Sequence, residues 1–363
     1  KTKPERLAKM SKSEARLRTS ITGQLMEALS QLSDSSLRRS YIGKGHGGQA
    51  RAFLVKLLGE GADDYGGPYR ALFESVADEL QADVVPVSGG SASLLPVLTP
   101  CSNRQIAAKT DTTQHLPSTE GFQPSEEQLA SSVYGREAFA FVGRLAGIAM
   151  RHGINMPIAL VPHVLKQLVR SPLQQTDAEQ ANCRVSLASL LPAGFDRVPD
   201  SSDADACARF DATLKAEGRV FSVEVVPGVA RELVHKGLSV AVNALNFSDF
   251  VGLAQAAALA YARDQTASLA QGMSAVIPYD LLPIWSPSEL DELLGGKADV
   301  SVSSLQAMTE YSDGLSGDEQ HIQWMWQVLE EGAPCDRIAF LRFVAARSRL
   351  PSSVQFLPTG LSV

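Results

Sequence analysis

The sequence predicts an α+β fold that is mostly helical. Apolar residues recur at helical spacing over several long segments, whereas β-branched runs are short and lie mainly between residues 220 and 243. No internal repeat is present. With 363 residues, of which 44% are hydrophobic and 20% charged, the chain is long enough to bury one or two sizeable cores.

The first elements in chain order are helices with one short strand between them. A capping-box pattern, SKSE, opens a segment whose apolar spacing predicts an amphipathic helix over 12–33. The stretch 49–61 alternates and ends in glycines, which predicts a strand and a turn, and 68–81 shows helical spacing. Residues 87–130 are rich in Ser, Thr, Pro and Gly and poor in charge, so we expect a mobile insert there.

A second pair of helices precedes a small mixed region. The apolar stretch 139–153 carries two glycines four residues apart, which would let a neighbouring element approach its backbone closely. Residues 161–169 form a helical pattern that begins behind a proline. The β-branched runs 220–226 and 238–243 predict a small hairpin-like insertion.

Helical patterns return after this insertion and continue towards the end of the sequence. Residues 249–273 form one long pattern, and 286–296 has a serine N-cap, an acidic first turn and a glycine stop. Trp324 and Trp326 would point to opposite sides of their helix or strand, and we expect both to be core or interdomain anchors.

Charge and hydropathy exclude several classes of function. The net charge of -7 and the pI near 5.5 argue against a nucleic-acid surface, because phosphate binding requires a basic face. No apolar run reaches the ~18 residues that a membrane span needs, so no membrane partner is expected. The composition therefore favours proteins as partners.

Cysteine and histidine spacing gives no metal or cofactor signal. The four cysteines are far apart and never form CxxC, and the six histidines show no HExxH pattern. We therefore expect no metal, no cofactor and a reducing intracellular location, cytoplasmic or nuclear. The glycine-rich stretches 43–48 and 59–70 lack the spacing of a phosphate-binding loop, and no Ser-His-Asp pattern is present.

Five sequence blocks follow one another in the chain. The blocks are GEGADDYGGPYR at 59–70, AFAFVGRLAGIAMRHG at 138–153, GMSAVIPYDLLPIWSPSELDELLGG at 272–296, HIQWMWQVLE at 321–330 and RIAFLRFVAARSRLP at 337–351. In this order and at plausible spacing, they resemble the HECT-type ubiquitin-protein ligase domain, and the resemblance covers roughly residues 12–351. The first block looks most like the branch that includes the HERC-like ligases.

The resemblance implies a large N-terminal lobe into which a smaller lobe is inserted, followed by a hinge and a C-terminal lobe with a nucleophilic cysteine. In the family, ubiquitin passes from a ubiquitin-conjugating enzyme to that cysteine as a thioester, and then to a lysine of a protein substrate. On this basis the chain divides into 1–184 and 251–351 for the N-terminal lobe, 185–250 for the lobe that binds the conjugating enzyme, and 352–363 for the hinge and the start of the C-terminal lobe.

Matching the sequence to the family also assigns candidate site residues. The conjugating enzyme would dock on apolar side chains of the inserted lobe, and Arg349 and Pro351 would mark the hinge. Leucines at helical spacing are more often core residues, and this interpretation stays open for the docking set. The docking candidates are Leu187, Leu191, Val225, Phe250 and Leu253.

No cysteine of the sequence matches the family's nucleophile. The stretch FLPT at 356–359 resembles the segment just before that cysteine, but GLSV follows it. Cys335 lies on the wrong side of the hinge, and no activating partner is indicated for it. The sequence thus leaves two hypotheses: a ubiquitin ligase whose catalytic cysteine lies outside these residues, or a non-catalytic helical scaffold derived from the same lobe.

Overall fold

A computed structural model gives the architecture of the protein. It describes residues 12–42, 49–55, 67–87, 90–93, 95, 97–107, 121–126, 133–226, 228–297, 300–311, 316–345, 349–350 and 361–362. The helices are α1 Lys12–Thr19, α2 Ile21–Leu29, α3 Asp34–Leu37, α4 Gly67–Gln81, α5 Ser102–Ala107, α6 Val133–His152, α7 Pro162–Leu168, α8 Gln175–Ala181, α9 Leu187–Leu190, α10 Ala204–Ala216, α11 Phe247–Ala260, α12 Arg263–Ser274, α13 Pro287–Gly295, α14 Val302–Ala307, α15 Gln320–Glu331 and α16 Pro334–Ala345.

Short strands form two-stranded sheets between these helices. In the part of the chain that the structure describes, β1 Asp83–Val87 pairs with β2 Gly90–Ser93, β3 Leu98–Pro100 with β4 Phe122–Pro124, and β5 Ser222–Val226 with β6 Val229–Glu232, all antiparallel. The last pair, β7 Thr309–Glu310 and β8 Leu361–Ser362, is parallel. The predicted α+β, mostly helical fold is confirmed.

Three hydrophobic clusters organise the described residues. The first, which we call the large lobe, runs from Leu17 to Val169 and from Leu269 to Leu294. The second, the small lobe, runs from Ala178 to Ala262. The third, the C-terminal unit, runs from Val300 to Leu350. The small lobe is therefore an insertion, because the large lobe resumes after it.

Two helices that are distant in sequence pack closely in the large lobe. An ideal Cβ at Gly143 of α6 would lie 1.9 Å from the carbonyl oxygen of Leu269 in α12, and one at Gly272 would lie 1.8 Å from the carbonyl oxygen of Ala140. Only glycine permits such an approach of two backbones. The paired helices tie the chain before the small lobe to the chain after it.

Two predicted helices are each broken into two. The segment 12–33 is interrupted at Ser20, whose hydroxyl accepts the Gly23 N–H, while the Glu79 carboxylate accepts the N–H groups of Ile21 and Thr22 at 2.9 Å. The segment 249–273 is interrupted between α11 and α12, where Ala262 has a left-handed φ of 55°. Neither break has a proline or glycine that would mark it in the sequence.

The predicted hairpin is present, but its second strand is misplaced. Strand β5 lies within the predicted 220–226, whereas its partner is 229–232 rather than 238–243. The latter stretch contains a 3-10 turn, Gly237–Ser239, and a single bridge from Ala241 to Val220. The connection between the two strands of the hairpin is therefore shorter than the β-branched pattern predicted.

The prediction of a mobile insert at 87–130 is wrong for its described residues. These include β2, β3, α5 and β4, and side chains from this stretch lie in the core of the large lobe. The polar composition predicted mobility, but a few apolar residues of this segment are buried in the large-lobe core and anchor it there. The buried apolar residues are Leu95, Val97, Leu98, Cys101 and Phe122.

The two tryptophans of α15 have different environments, as their spacing predicted. Trp326 is buried and donates its indole N–H to the Tyr311 hydroxyl at 3.0 Å, so it is a core residue of the C-terminal unit. Trp324 is 60% exposed, which corrects the expectation that it is also a core anchor.

Other predictions fall partly outside the described residues. Within the predicted strand 49–61, the described part shows a single bridge from Arg51 to Tyr41, and 56–61 lie outside. The glycine-rich stretches 43–48 and 59–66 lie outside as well. Within the described ranges, no helix combines the length and apolar character that a membrane span requires.

Candidate partner-binding surface

Two of the five docking candidates present apolar side chains to solvent on the small lobe. Leu187 of α9 is 47% exposed and Leu253 of α11 is 36% exposed. Leu191, at the C-cap of α9, is half-buried and packs against the small-lobe core. The 3-10 turn Cys183–Val185, which leads into α9, packs on α11, so these leucines lie on neighbouring elements.

Local hydrogen bonds determine which side of α9 faces outwards. Asn182 accepts the Arg184 N–H at 3.1 Å and donates to the Val225 carbonyl at 3.1 Å, which fixes the preceding turn against β5. The Ser186 hydroxyl then caps α9 by accepting the Ser189 N–H at 3.2 Å. As a result Leu190 points into the core and Leu187 points out.

Helix α11 is apolar on more than one side, but only one side is buried in the aromatic core. Phe247 and Phe250 are fully buried, and their rings contact those of Phe210 and Phe221 at centroid distances of 5.2 and 5.7 Å in edge-to-face geometry. Leu253 is three residues beyond Phe250 and faces solvent instead.

The structure therefore corrects two of the predicted docking residues. Val225 is 2% exposed and Phe250 is 1% exposed, and both belong to the small-lobe core. A residue that contributes a binding anchor must reach the partner, and these two side chains do not reach the surface. Leu187, Leu191 and Leu253 remain as the predicted docking set.

Sequence reasoning missed further exposed apolar residues on the small lobe. Leu238 is 61% exposed, Val240 37%, and Leu245, just before α11, 87%. Leu245 stands between asparagines in NALN, a turn where a large apolar residue is unusual, and that contrast was a signal available in the sequence. Exposed apolar side chains in such numbers on a small unit are typical of an interaction surface.

The chemistry of the small lobe suits binding more than catalysis. Six carboxylates against three basic side chains lie between residues 196 and 217, which makes this part of the surface acidic. Burial raises the pKa of the Cys183 thiol, and also that of Cys101 in the large lobe, so neither is an activated nucleophile at neutral pH. Among the described side chains, no group of His, Cys, Asp and Glu has the arrangement of a metal site.

The predicted hinge begins where the C-terminal unit meets α13. The Arg349 carbonyl accepts a hydrogen bond from Asn155 at 3.0 Å, and the backbone of Leu350 pairs with Lys297. Burial raises the pKa of the Asp291 carboxyl, which the positive charge of Arg349 partly offsets. Pro351 lies outside the described residues, so the hinge assignment stays a prediction.

The region that contains the small lobe matches a known protein family. The model of the HECT domain, described as a ubiquitin-transferase domain, matches residues 98–359. This match covers most of the chain and includes the whole small lobe and the docking leucines.

Individual relatives agree with this match. The chain is 27% identical to human E3 ubiquitin-protein ligase HERC2 over 335 residues, which are 92% of this chain and 6% of HERC2. It is 28% identical to E3 ubiquitin-protein ligase HACE1 of Xenopus tropicalis over 231 residues, or 63% of this chain and 24% of HACE1. Human probable E3 ubiquitin-protein ligase HECTD4 is 25% identical over 350 residues, 92% of this chain and 8% of HECTD4. The chain spans 24% or less of the length of each relative.

Proposed function

Because the chain belongs to the HECT-domain family of ubiquitin transferases, we propose that it is the part of a ubiquitin-protein ligase that receives a ubiquitin-conjugating enzyme. The conjugating enzyme docks on the small lobe. Ubiquitin then passes from its thioester to a cysteine of the ligase and on to a substrate lysine. We assign this role to none of Cys101, Cys183, Cys207 and Cys335, because none of them matches the position of the family's nucleophile.

The observation that carries this proposal is the exposed apolar surface around Leu187 and Leu253. A transient protein interface is built from a few apolar anchors within a polar rim. We assign Leu187 and Leu253 this role, because each is exposed on a helix whose neighbouring Leu190 or Phe250 is anchored in the small-lobe core. The acidic stretch 196–217 of the same lobe would attract a basic face of the partner and accelerate the encounter.

The roles that we propose for the lobes rest on the order of the three hydrophobic clusters along the chain. The small lobe is an insertion with its own hydrophobic core, which is distinct from that of the C-terminal unit, where the predicted hinge begins. Transfer then needs the acceptor cysteine to approach the thioester by a rigid-body movement of one unit against another. We propose residues 185–250 as the lobe that binds the conjugating enzyme. The hydrophobic core of this lobe is wider and extends from Ala178 to Ala262.

Leu187→Asp is expected to weaken binding of a ubiquitin-conjugating enzyme by about thirtyfold or more, since a charge at an apolar anchor costs ~2 kcal/mol. The measurement is a binding titration of the purified chain against a panel of conjugating enzymes. The melting temperature should stay close to that of the unmodified chain, because the Leu187 side chain is exposed.

A matched control is available on another unit. Val328 of α15 is 68% exposed, more than the 47% of Leu187, so Val328→Asp adds the same charge to an accessible apolar position outside the small lobe. Its affinity for the conjugating enzyme should be unchanged. Equal loss of binding in both variants, or binding unaffected by Leu187→Asp, would contradict the docking proposal and favour a scaffold without this partner.

A further inference from the structure

The chain passes between the large lobe and the small lobe at two places. Side chains from one region of the large lobe form hydrogen bonds to both connections. The first passage runs through α8 into the 3-10 turn, and the second runs from α11 through Tyr261 and Ala262 into α12. The residues that contact both passages lie in 98–107, with β3 and α5, and in 121–126, with β4 and Glu126.

Asn103 holds the first passage. Its side chain is fully buried and donates to the carbonyl oxygens of Glu179 and Gln180 at 3.2 and 2.9 Å, while its Oδ1 accepts the Cys183 N–H at 2.7 Å. These bonds satisfy backbone groups at the end of α8 that the helix itself leaves unpaired. The neighbouring Ser102 hydroxyl donates to the Val225 carbonyl at 3.3 Å and so reaches strand β5.

Glu126 holds the second passage. Its Oε1 accepts the N–H of Ala262 at 2.6 Å, and its Oε2 forms an ion pair with Arg231 of strand β6. Ala262 is buried and has a left-handed φ of 55°, so a charged acceptor on its N–H supports a conformation that alanine seldom adopts. The backbone N–H of Glu126 also donates to the Tyr261 hydroxyl at 3.3 Å.

One carboxylate therefore joins three parts of the molecule: the large lobe, the connection that leaves the small lobe, and the small lobe's hairpin. We infer that Glu126, supported by Asn103, is a positioning residue that fixes the orientation in which the small lobe presents a bound ubiquitin-conjugating enzyme. This inference rests on the proposed function, because orientation matters only if a partner bound there must meet another part of the ligase.

The charge of Glu126 is essential to this role. In Glu126→Gln, the amide oxygen can still accept the Ala262 N–H. The amide NH2 then faces the Arg231 guanidinium, and because both groups are hydrogen-bond donors, the interaction with Arg231 is lost. The hairpin then loses its ion pair with the large lobe, while the hydrogen bond from Ser102 to β5 and the core of the small lobe are unchanged. We expect the lobes to sample a wider range of angles, with each lobe still folded.

The test measures lobe orientation directly. Spin labels are placed through non-natural residues at exposed Ala28 of the large lobe and exposed Ala208 of the small lobe, and the distance distribution between them is recorded. Glu126→Gln should broaden this distribution by about twofold, because loss of the ion pair lets the lobes move as rigid bodies against each other. Affinity for the conjugating enzyme should be unchanged, since Leu187 and Leu253 stay in place.

A matched control lies in the same hairpin. Arg184 and Glu224 form an exposed ion pair within the small lobe, so Glu224→Gln removes a similar pair that does not cross between lobes. Its distance distribution should equal that of the unmodified chain. An unchanged distribution in Glu126→Gln, or equal broadening in Glu224→Gln, would overturn the inference.

A second variant covers the case in which Glu126→Gln fails to fold. Arg231→Met removes the ion pair but leaves the bond from Ala262 to Glu126, and it should also broaden the distribution. A narrow distribution in Arg231→Met would count against the inference. Failure of every conjugating enzyme to bind the unmodified chain would contradict the proposed function alone, because the distance comparison does not depend on binding.

Discussion

Replacing Gly272 with alanine is expected to lower the free energy of unfolding by about 3 kcal/mol or more, at the upper end of what overpacking costs. An ideal Cβ at this position would lie 1.8 Å from the Ala140 carbonyl oxygen and 2.9 Å from the Arg144 backbone nitrogen. Both obstacles are backbone atoms of α6, so no rotamer change relieves the clash. The two helices must separate, and the contact at Gly143 on the facing helix is lost with them.

Gly252 provides the control for this prediction. It lies in α11, and an ideal Cβ there would extend into open space. Gly252→Ala should therefore stabilise the protein by up to ~1 kcal/mol through helix propensity alone. Urea unfolding of both variants measures the difference. Similar stabilisation by both substitutions would show that α6 and α12 do not pack as closely as the structure has them.

Phe250→Ala is expected to cost about 4 kcal/mol, because it removes a buried ring and leaves a cavity. The ring lies at the centre of the small-lobe core, in edge-to-face contact with Phe221 and close to Phe247. The loss should first affect the small lobe, and hydrogen exchange of amides in α10 and α11 would report it. Leu253→Ala, on the exposed side of α11, should cost about 0.5 kcal/mol or less.

This pair of substitutions separates core from surface on one helix. If Phe250→Ala left stability unchanged and weakened only partner binding, the Phe250 side chain would be a surface anchor, as the sequence first suggested. If Leu253→Ala destabilised the fold as much as Phe250→Ala, then Leu253 would be a core residue and the docking set would lose one of its two exposed leucines.

Periodic patterns predicted most of the helices, because long amphipathic segments carry their own signal. The predicted 68–81 and 286–296 correspond to α4 and α13 within a residue or two at each end. The break at Ser20 escaped prediction because part of its cause is distant in sequence. Glu79, far along the chain, accepts the two N–H groups that start the second helix. Such tertiary hydrogen bonds leave no local pattern.

The docking surface could be predicted only in part. Family resemblance pointed to α9 and α11, but α11 has apolar residues on both its buried and its exposed sides. Spacing alone therefore does not separate Phe250 from Leu253. The contacts made by Glu126 were likewise hidden, because a polar stretch with scattered apolar residues resembles a mobile insert until its partners are known.

The central claim, that a ubiquitin-conjugating enzyme docks on the small lobe, is tested most directly by a hydrogen-exchange footprint of the conjugating enzyme on this chain. The comparison is between the free chain and the chain saturated with partner. Protection confined to 183–191 and to the middle of α11 around Leu253, with α4 and α15 unchanged, is the result we predict. Protection confined to the large lobe or to the exposed face of α15 around Trp324 and Val328, with the small lobe unchanged, would contradict the claim.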